Sequence, residues 1–466
     1  MKTAKPAPDI SPVMQQLAEY ISNAPRKALP KSVVEATKHH LLDTMAAMIS
    51  GATLFPGVMA IKYVKTLGGT KESTVLGSRI VTNAVNAALA NGMLAHADET
   101  DDTHAASSIH PGCGIVGAAF AMAERERCNG TALLRAIALG YDIGVRVGFS
   151  LGSGRFLVRG GHLIQCIAPS IGAAAACAAL ARMNTIQVRY VLSYAAQQAS
   201  GISNYARDLQ HIEKAFDYGG MAARNGVTAA TMVAVGCTAV DDVFSGERNF
   251  FATYDESKRI GVAPQPEILV RDLGRTFEIM NTNIKRWSVG APIQAPLDSL
   301  LELMRTEGIK AEEVERLVIR VSTTGAYTTN NREMADINMQ HMCALMLLDG
   351  NVTFETAHDE KRMKDPSVLA LRKRIELIGD EALQKLLPER QGIVDITLKN
   401  GRKLHHHTKA VRGTAQNPMV REEVDEKCYH LMAPSLGRRR ARALCDAIWN
   451  IERTPDVRKL RPLLQM

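Results

Sequence analysis

Reactive side chains crowd most densely into His96-Ala97-Asp98-Glu99-Thr100-Asp101-Asp102-Thr103-His104, followed by Ile109-His110-Pro111-Gly112. Four carboxylates and three histidines within fifteen residues would repel one another in a plain surface loop. Such density points to ligand binding or to mutually shifted proton affinities, the raw material of general acid–base chemistry. An acidic helix cap is the structural alternative, since Asp and Thr are favoured at helix starts. Metal ligation is another, because His and Asp are good ligands.

Arg159-Gly160-Gly161-His162 precedes an Ala-rich apolar stretch. Glycines at that place let backbone N–H groups approach an anion, and a helix start favours negative charge. A plain capping loop would read the same. Lys214, in IEKAFDYGGMAARNG, and Lys285-Arg286, in NTNIKRWSVGAPIQAP, offer cations, although isolated basic residues are ordinarily solvated. His405-His406-His407 follows a turn signal on a strand pattern. Strand neighbours point to opposite faces, so the run reads as surface and not as one metal site. No GxGxxG, Walker loop, GxSxG or HExxH occurs in suitable context, so redox cofactors, nucleotides and serine hydrolysis lack support.

The elements that must carry these groups are mostly helical. From about Ser11 to Val243, apolar residues recur at helical spacing, as in PVMQQLAEYISNAP, KSVVEATKHHLLDTMAAMIS and TNAVNAALANGMLAHADE. Beyond Ala263 the pattern changes. Leu317, Ile319 and Val321 alternate as in a half-buried strand, and so do Val394, Ile396 and Leu398 before an Asn400-Gly401 hairpin signal. Helical segments lie between, around Asn338–Leu348 and Ser367–Ile375, and helices return after Pro418. The expected fold is mainly α: a large all-helical domain over 1–263 plus 412–466, with a smaller α+β lid domain inserted at 264–411.

Composition agrees with this. Hydrophobic residues make up 46% and aromatics only 5%, and abundant Ala and Gly favour closely packed helices. Leu163–Leu180 is the most apolar stretch, but Gln165, Pro169 and Ser170 interrupt it, so a buried helix is expected and no membrane span. The opening MKTAKPAPDI carries no apolar core of signal-peptide length. Eight scattered cysteines without a CxxC pair read as reduced core residues, placing the chain in the cytoplasm. The net charge of +8 suits an anionic metabolite. Arg438-Arg439-Arg440 and Arg442 have no interleaved aromatics, so they read as a solvated helix face and not a nucleic-acid site.

The HADETDDTH segment with its following His-Pro, the glycine segment and the two lysine segments, in this order, resemble the MmgE/PrpD family along nearly the whole chain to GTAQNPMVREEVDEK. The resemblance implies a helical domain with an α+β lid, a homodimer, and catalysis on a small di- or tricarboxylate without metal or organic cofactor. It implies that Glu99, with Asp98 beside it, fills the place of the motif's acid, that Thr103 matches its threonine, and that His110 matches the histidine of the His-Pro pair. His162, Lys214 and Lys285 match further residues around the substrate. The catalytic set is then expected among His110, Glu99, Asp98, Lys285 and Thr103, with His162, Lys214, Arg286, Asp102 and His104 holding the substrate. Dehydratases and decarboxylases of the family usually carry another histidine beyond the second lysine, whereas Ser288–Gln294 has none. Elimination of hydroxide needs a general acid. Epimerisation by α-proton removal and return, with iminodisuccinate as the acid, is therefore the expected activity. The alternatives are a 2-methylcitrate dehydratase-type or cis-aconitate decarboxylase-type lyase and, in another class, a non-catalytic helical scaffold.

Overall fold

The computed structural model describes residues 10–466, and for residues 157, 158 and 206 the backbone alone. The opening residues that lack a signal pattern lie, over 1–9, outside the described residues. The chain is mainly α-helical, and it divides into two compact units. One comprises 1–97, 102–281 and 424–466; the other comprises 98–101 and 282–423.

The first unit begins with α1 (Pro12–Asn23), α2 (Lys31–Gly51) and α3 (Phe55–Leu67), then a short antiparallel ribbon of β1 (Ser73–Thr74) and β2 (Val81–Thr82). It continues through α4 (Ala84–Ala95), α5 (Pro111–Arg125), α6 (Gly130–Ser150), α7 (Ser153–Gly160), α8 (Ile164–Leu180) and α9 (Thr185–Gln198). Polar side chains set the helix starts. Ser11 accepts from the Met14 N–H, Asn83 from Asn86 and Asn129 from Ala132, and Asn184 forms a reciprocal capping box with Gln187.

All seventeen residues of α8 are buried, packed by α5, α6, α9 and the helix Met221–Ala234. Small residues allow this. A Cβ built on Gly172 would stand 2.5 Å from the Gly140 carbonyl oxygen of α6, so the two backbones pass where no side chain fits. Among the described residues no single helix is long and apolar enough to cross a membrane. The cysteines are free thiols, and seven of the eight are buried.

Residues 264–281 group with the first unit for a visible reason. Arg146 of α6 donates to the Ile268 and Arg271 carbonyls and, at 3.0 Å, to Thr276. The helices Arg421–Leu436 and Arg438–Trp449 close that unit from Val424 onward. In the basic run, Arg440 donates to the Leu436 carbonyl, and Arg442 pairs with Asp425 and lies 4.6 Å over the Tyr429 ring.

The second unit holds a four-stranded mixed sheet. β3 (Val314–Ser322) runs parallel to β4 (Ile375–Asp380) and antiparallel to β5 (Gly392–Leu398), which pairs with β6 (Lys403–Thr408). Leu317 faces Ile396 and Ile319 faces Val394 across the central pair. Leu297, Leu300, Met342, Cys343 and Met346, from the helices Gln294–Glu307 and Met339–Asp349, complete their core. β4 has no counterpart in the sequence reading. The helix expected at Ser367–Ile375 stops at Arg372, and the chain then adds an edge strand beside β3. The three β6 histidines diverge, His405 to Asp395, His406 to Ser299 and His407 to Gln391.

Candidate active site

The dense segment 96–110 is divided between the two units, and each unit gathers its own set of groups.

In the first unit, α4 ends at Ala95 and leaves His96 at its C-cap, wholly buried. Its ring lies flat on Tyr218, 4.4 Å between centroids and 12° between planes. His110 occupies the N-cap of α5 with Pro111 after it, and its N–H donates to Gln165 at 3.0 Å. The His110 ring stands edge-on to His96 at 5.0 Å and to Tyr218 at 5.4 Å. His211 adds a third imidazole, 5.2 Å from His96.

Lys214 follows within one turn, its ammonium 5.3 Å from the Tyr218 ring centre and 5.8 Å from that of Tyr205. The next residues, Phe216–Gly220, form a π-helical turn. Gly219 there abuts Gly92 of α4 so closely that a Cβ on Gly92 would stand 2.3 Å from the Gly219 carbonyl. That contact seats Tyr218 against His96. Asp217 in the same turn is pushed up to about 7 by burial, with the charges of Glu213 and Asp208 adding. The cluster thus combines three imidazoles with an ammonium around one phenol ring.

Asp102 and His104 serve local structure. One Asp102 oxygen takes His40 Nδ1 at 2.7 Å and the Tyr141 hydroxyl at 2.6 Å, and the other accepts the Gly112 N–H at 2.9 Å in the first turn of α5. His104 holds Ser107 at 2.8 Å and faces Glu278 at 3.4 Å. Thr103, half-buried, lies between them. His162 meets Glu256 at 2.6 Å and stacks on Phe156 at 4.7 Å. Hydrogen bonds from Arg259 and then His162 hold Glu256 down to about 2.

In the second unit, residues 98–101 meet Lys285 and His358. The buried Lys285 ammonium donates to the Glu99 carbonyl at 2.7 Å, with the Glu99 carboxylate at 3.4 Å and Asp101 at 3.8 Å. Asp98 accepts from the Thr100 N–H at 2.9 Å and from its hydroxyl at 2.6 Å, and its Oδ2 lies 3.1 Å from His358 Nε2. Burial pulls the His358 imidazole down. The Asp98 carboxylate overrides this, helped by Asp336 and the Phe354 carbonyl, and pushes it up to about 9. Arg286 faces Asp298 at 3.4 Å and lies 4.8 Å over Trp287. Gln294 brackets the histidine-free stretch by donating to the Trp287 and Val289 carbonyls.

His211, Tyr218, Asp217 and His358 stand outside the set drawn from the sequence. FDYGG, beginning two residues after Lys214, was the available signal for two of them; no spacing marks His211 or His358.

A family model described as the MmgE/PrpD N-terminal domain matches residues 15–263, and one described as the MmgE/PrpD C-terminal domain matches 287–452. The cis-aconitate decarboxylase-like protein oryM of Aspergillus oryzae is 26% identical over 304 residues, which are 63% of this chain and 62% of that protein's own length. The cis-aconitate decarboxylase of Homo sapiens is 24% identical over 457 residues, 94% of this chain and 91% of that protein. That of Aspergillus terreus is 21% identical over 478 residues, 97% and 96% of the two chains.

Proposed function

The chain belongs to the MmgE/PrpD family, and from that premise we propose that it is a lyase that generates a carbanion beside a carboxylate on a small tricarboxylate. Decarboxylation of a cis-aconitate-type acid comes first among its reactions. The observation that carries this reading is Lys285. A buried ammonium, 4% exposed and set beside Glu99 and Asp101, is placed to stabilise charge that develops on substrate oxygen as a carbon electron pair is released. Ground-state pairing alone gives little reason to bury it, since desolvation offsets most of the Coulombic gain. The relatives named above as decarboxylases support the same class.

Lys214 and His110 are assigned to substrate carboxylates on their chemistry, a cation and an imidazole that both lie against the Tyr218 ring. Asp102 and His104 are assigned to positioning, because their polar atoms serve His40, Tyr141 and Gly112, or Ser107 and Glu278. A second reading, epimerisation of iminodisuccinate, is favoured by the absence of histidine from Ser288 to Gln294. It needs only proton removal and return.

Proton NMR in deuterated water tests the choice, with cis-aconitate, 2-methylcitrate, citrate and stereopure iminodisuccinate in separate samples. A shifted alkene signal from cis-aconitate with release of carbon dioxide is the expected result. Deuterium at the α-carbon of iminodisuccinate with loss of stereopurity, and no change in the other acids, would replace the lyase by the epimerase.

A further inference from the structure

Resting on the assignment of His110 to a substrate carboxylate, we propose that His40 of α2 is a positioning residue: through Asp102 it fixes the start of α5, and with it the place of the His110 ring. Three features of the packing lead there.

The first is the direction of the hydrogen bonds. An ionised carboxylate only accepts, so His40 Nδ1, 2.7 Å from Asp102 Oδ2, carries a hydrogen and donates it. The Tyr141 hydroxyl of α6 donates to the same oxygen at 2.6 Å, which leaves Oδ1 for the Gly112 N–H at 2.9 Å. The His40 carbonyl in turn accepts the Thr44 hydroxyl at 2.8 Å, one turn further along α2. Three helices, α2, α5 and α6, thus meet at one side chain, and each supplies it with one donor. His40, Asp102 and Tyr141 are all buried, so no solvent stands in for a donor that is lost.

The second is the fit at Gly112. A Cβ built there would stand 2.7 Å from each of Asp102 Oδ1, the Thr44 hydroxyl oxygen and the Tyr141 hydroxyl oxygen. The first turn of α5 is therefore pressed against the same polar atoms that hold Asp102, and only glycine allows the approach.

The third is a stiff link to His110. Pro111 stands between Gly112 and His110, and its ring fixes the backbone there. A shift of Gly112 carries His110 with it, away from the Gln165 oxygen that takes its N–H at 3.0 Å. It also moves the ring off His96 and Tyr218, which it meets edge-on at 5.0 and 5.4 Å.

A core built for stability alone has little use for this arrangement. Taking a carboxylate out of water is costly, and apolar side chains of similar volume would join the three helices as well. What the polar network adds is direction, because each member has one partner geometry.

The test compares the full-length wild-type protein with His40→Leu and His40→Asn. Leu offers no donor, whereas Asn places an amide N–H where Nδ1 stands. Rates are measured on cis-aconitate. The His110 ring is followed by NMR after carbon-13 labelling of the histidines, its signal being the one missing from His110→Gln. His40→Leu is expected to raise KM about tenfold or more and to move the His110 signal. His40→Asn is expected to keep KM within about threefold of wild type, with the signal in place. A purely structural loss lowers the fraction of active enzyme and leaves KM alone. If His40→Leu does not fold, which circular dichroism reports, Tyr141→Phe takes its place, since it removes one hydroxyl donor to the same Asp102 oxygen. A folded variant that lacks the donor yet keeps both KM and the His110 signal of the wild type overturns the positioning role. An Asn variant as impaired as the Leu variant overturns it too. A wild type inactive on cis-aconitate, 2-methylcitrate and citrate overturns the lyase reading, and the His110 signal alone then decides for or against His40.

Discussion

The imidazole of His96 and the phenol ring of Tyr218 lie parallel at 4.4 Å, and both residues are essentially without solvent exposure. His110 rests edge-on against the two, and Lys214 sits over the outer aromatic. Tyr218 therefore touches three groups that the sequence nominates or borders. Tyr218→Phe is expected to keep the stack and so to cost less than removal of the whole ring. Tyr218→Ala empties the space and should destabilise the first unit by about 3–5 kcal/mol while lowering kcat. Denaturant titration and steady-state rates on the two variants check this. Equal activity for both would show the ring to be filler.

Lys285→Met removes a buried cation from beside Glu99 and Asp101. The expected outcome is a loss of about 10²–10³ in kcat, accompanied by roughly 3–5 kcal/mol of destabilisation from the carboxylates left behind. The double change Lys285→Met with Glu99→Gln should recover part of the stability and none of the activity. Thermal unfolding beside a turnover assay separates the two effects.

Asp102 and Lys214 should fail in different ways. Asp102→Ala leaves His40, the Tyr141 hydroxyl and the Gly112 N–H without their acceptor, so stability should fall by a few kcal/mol, about 1–3 for each group lost. Activity should fall with it, because Gly112 lies in the helix turn that carries His110. Lys214→Met, at a half-buried site, should raise KM, with a smaller loss of stability than Asp102→Ala. Parallel kinetics and denaturation on the two variants decide it.

Asp217 makes stability depend on pH. Its folded proton affinity stands at about 7, above the ordinary value of 3.8, chiefly through burial. The folded protein holds this proton more tightly than the unfolded chain does. The contribution is therefore fully present below about pH 4 and lost as pH rises through 7. Asp217→Asn removes that slope, so the variant should gain on the wild type at pH 8 relative to pH 5. Urea midpoints at the two pH values measure it, and an unchanged difference would place the carboxyl in water.

Much of this was legible in the sequence, for reasons that particular residues make plain. Leu317, Ile319 and Val321 alternate because one face of β3 is buried, and Gly401 at φ +82° permits the tight turn after β5. Ala and Gly density announced close helix packing, and Gly140 against Gly172 realises it. β4 escaped because IELIGD is an edge strand with little alternation, and its parallel partner lies far back in the chain. The density of 96–110 was visible, but its division was not. Asp102 turns to a helix start, Glu99 to Lys285 and Asp98 to His358. The last two depend on residues 186 and 260 positions further along the chain, and local patterning carries no trace of them.

The second unit owns four residues that lie far outside its main run. Residues 98–101 leave the ribosome long before 282–423 exist, so Lys285 cannot acquire its carboxylate partners until both pieces are made. A gene segment encoding 282–423 alone would carry an orphaned ammonium and a histidine without its anion. Recombination that swaps this unit between relatives must therefore move two separated stretches together, or inherit a mismatched pair. The buried contacts of Lys285 and His358 with residues 98–101 bind the evolution of the two stretches to each other, whatever freedom the surrounding helices enjoy.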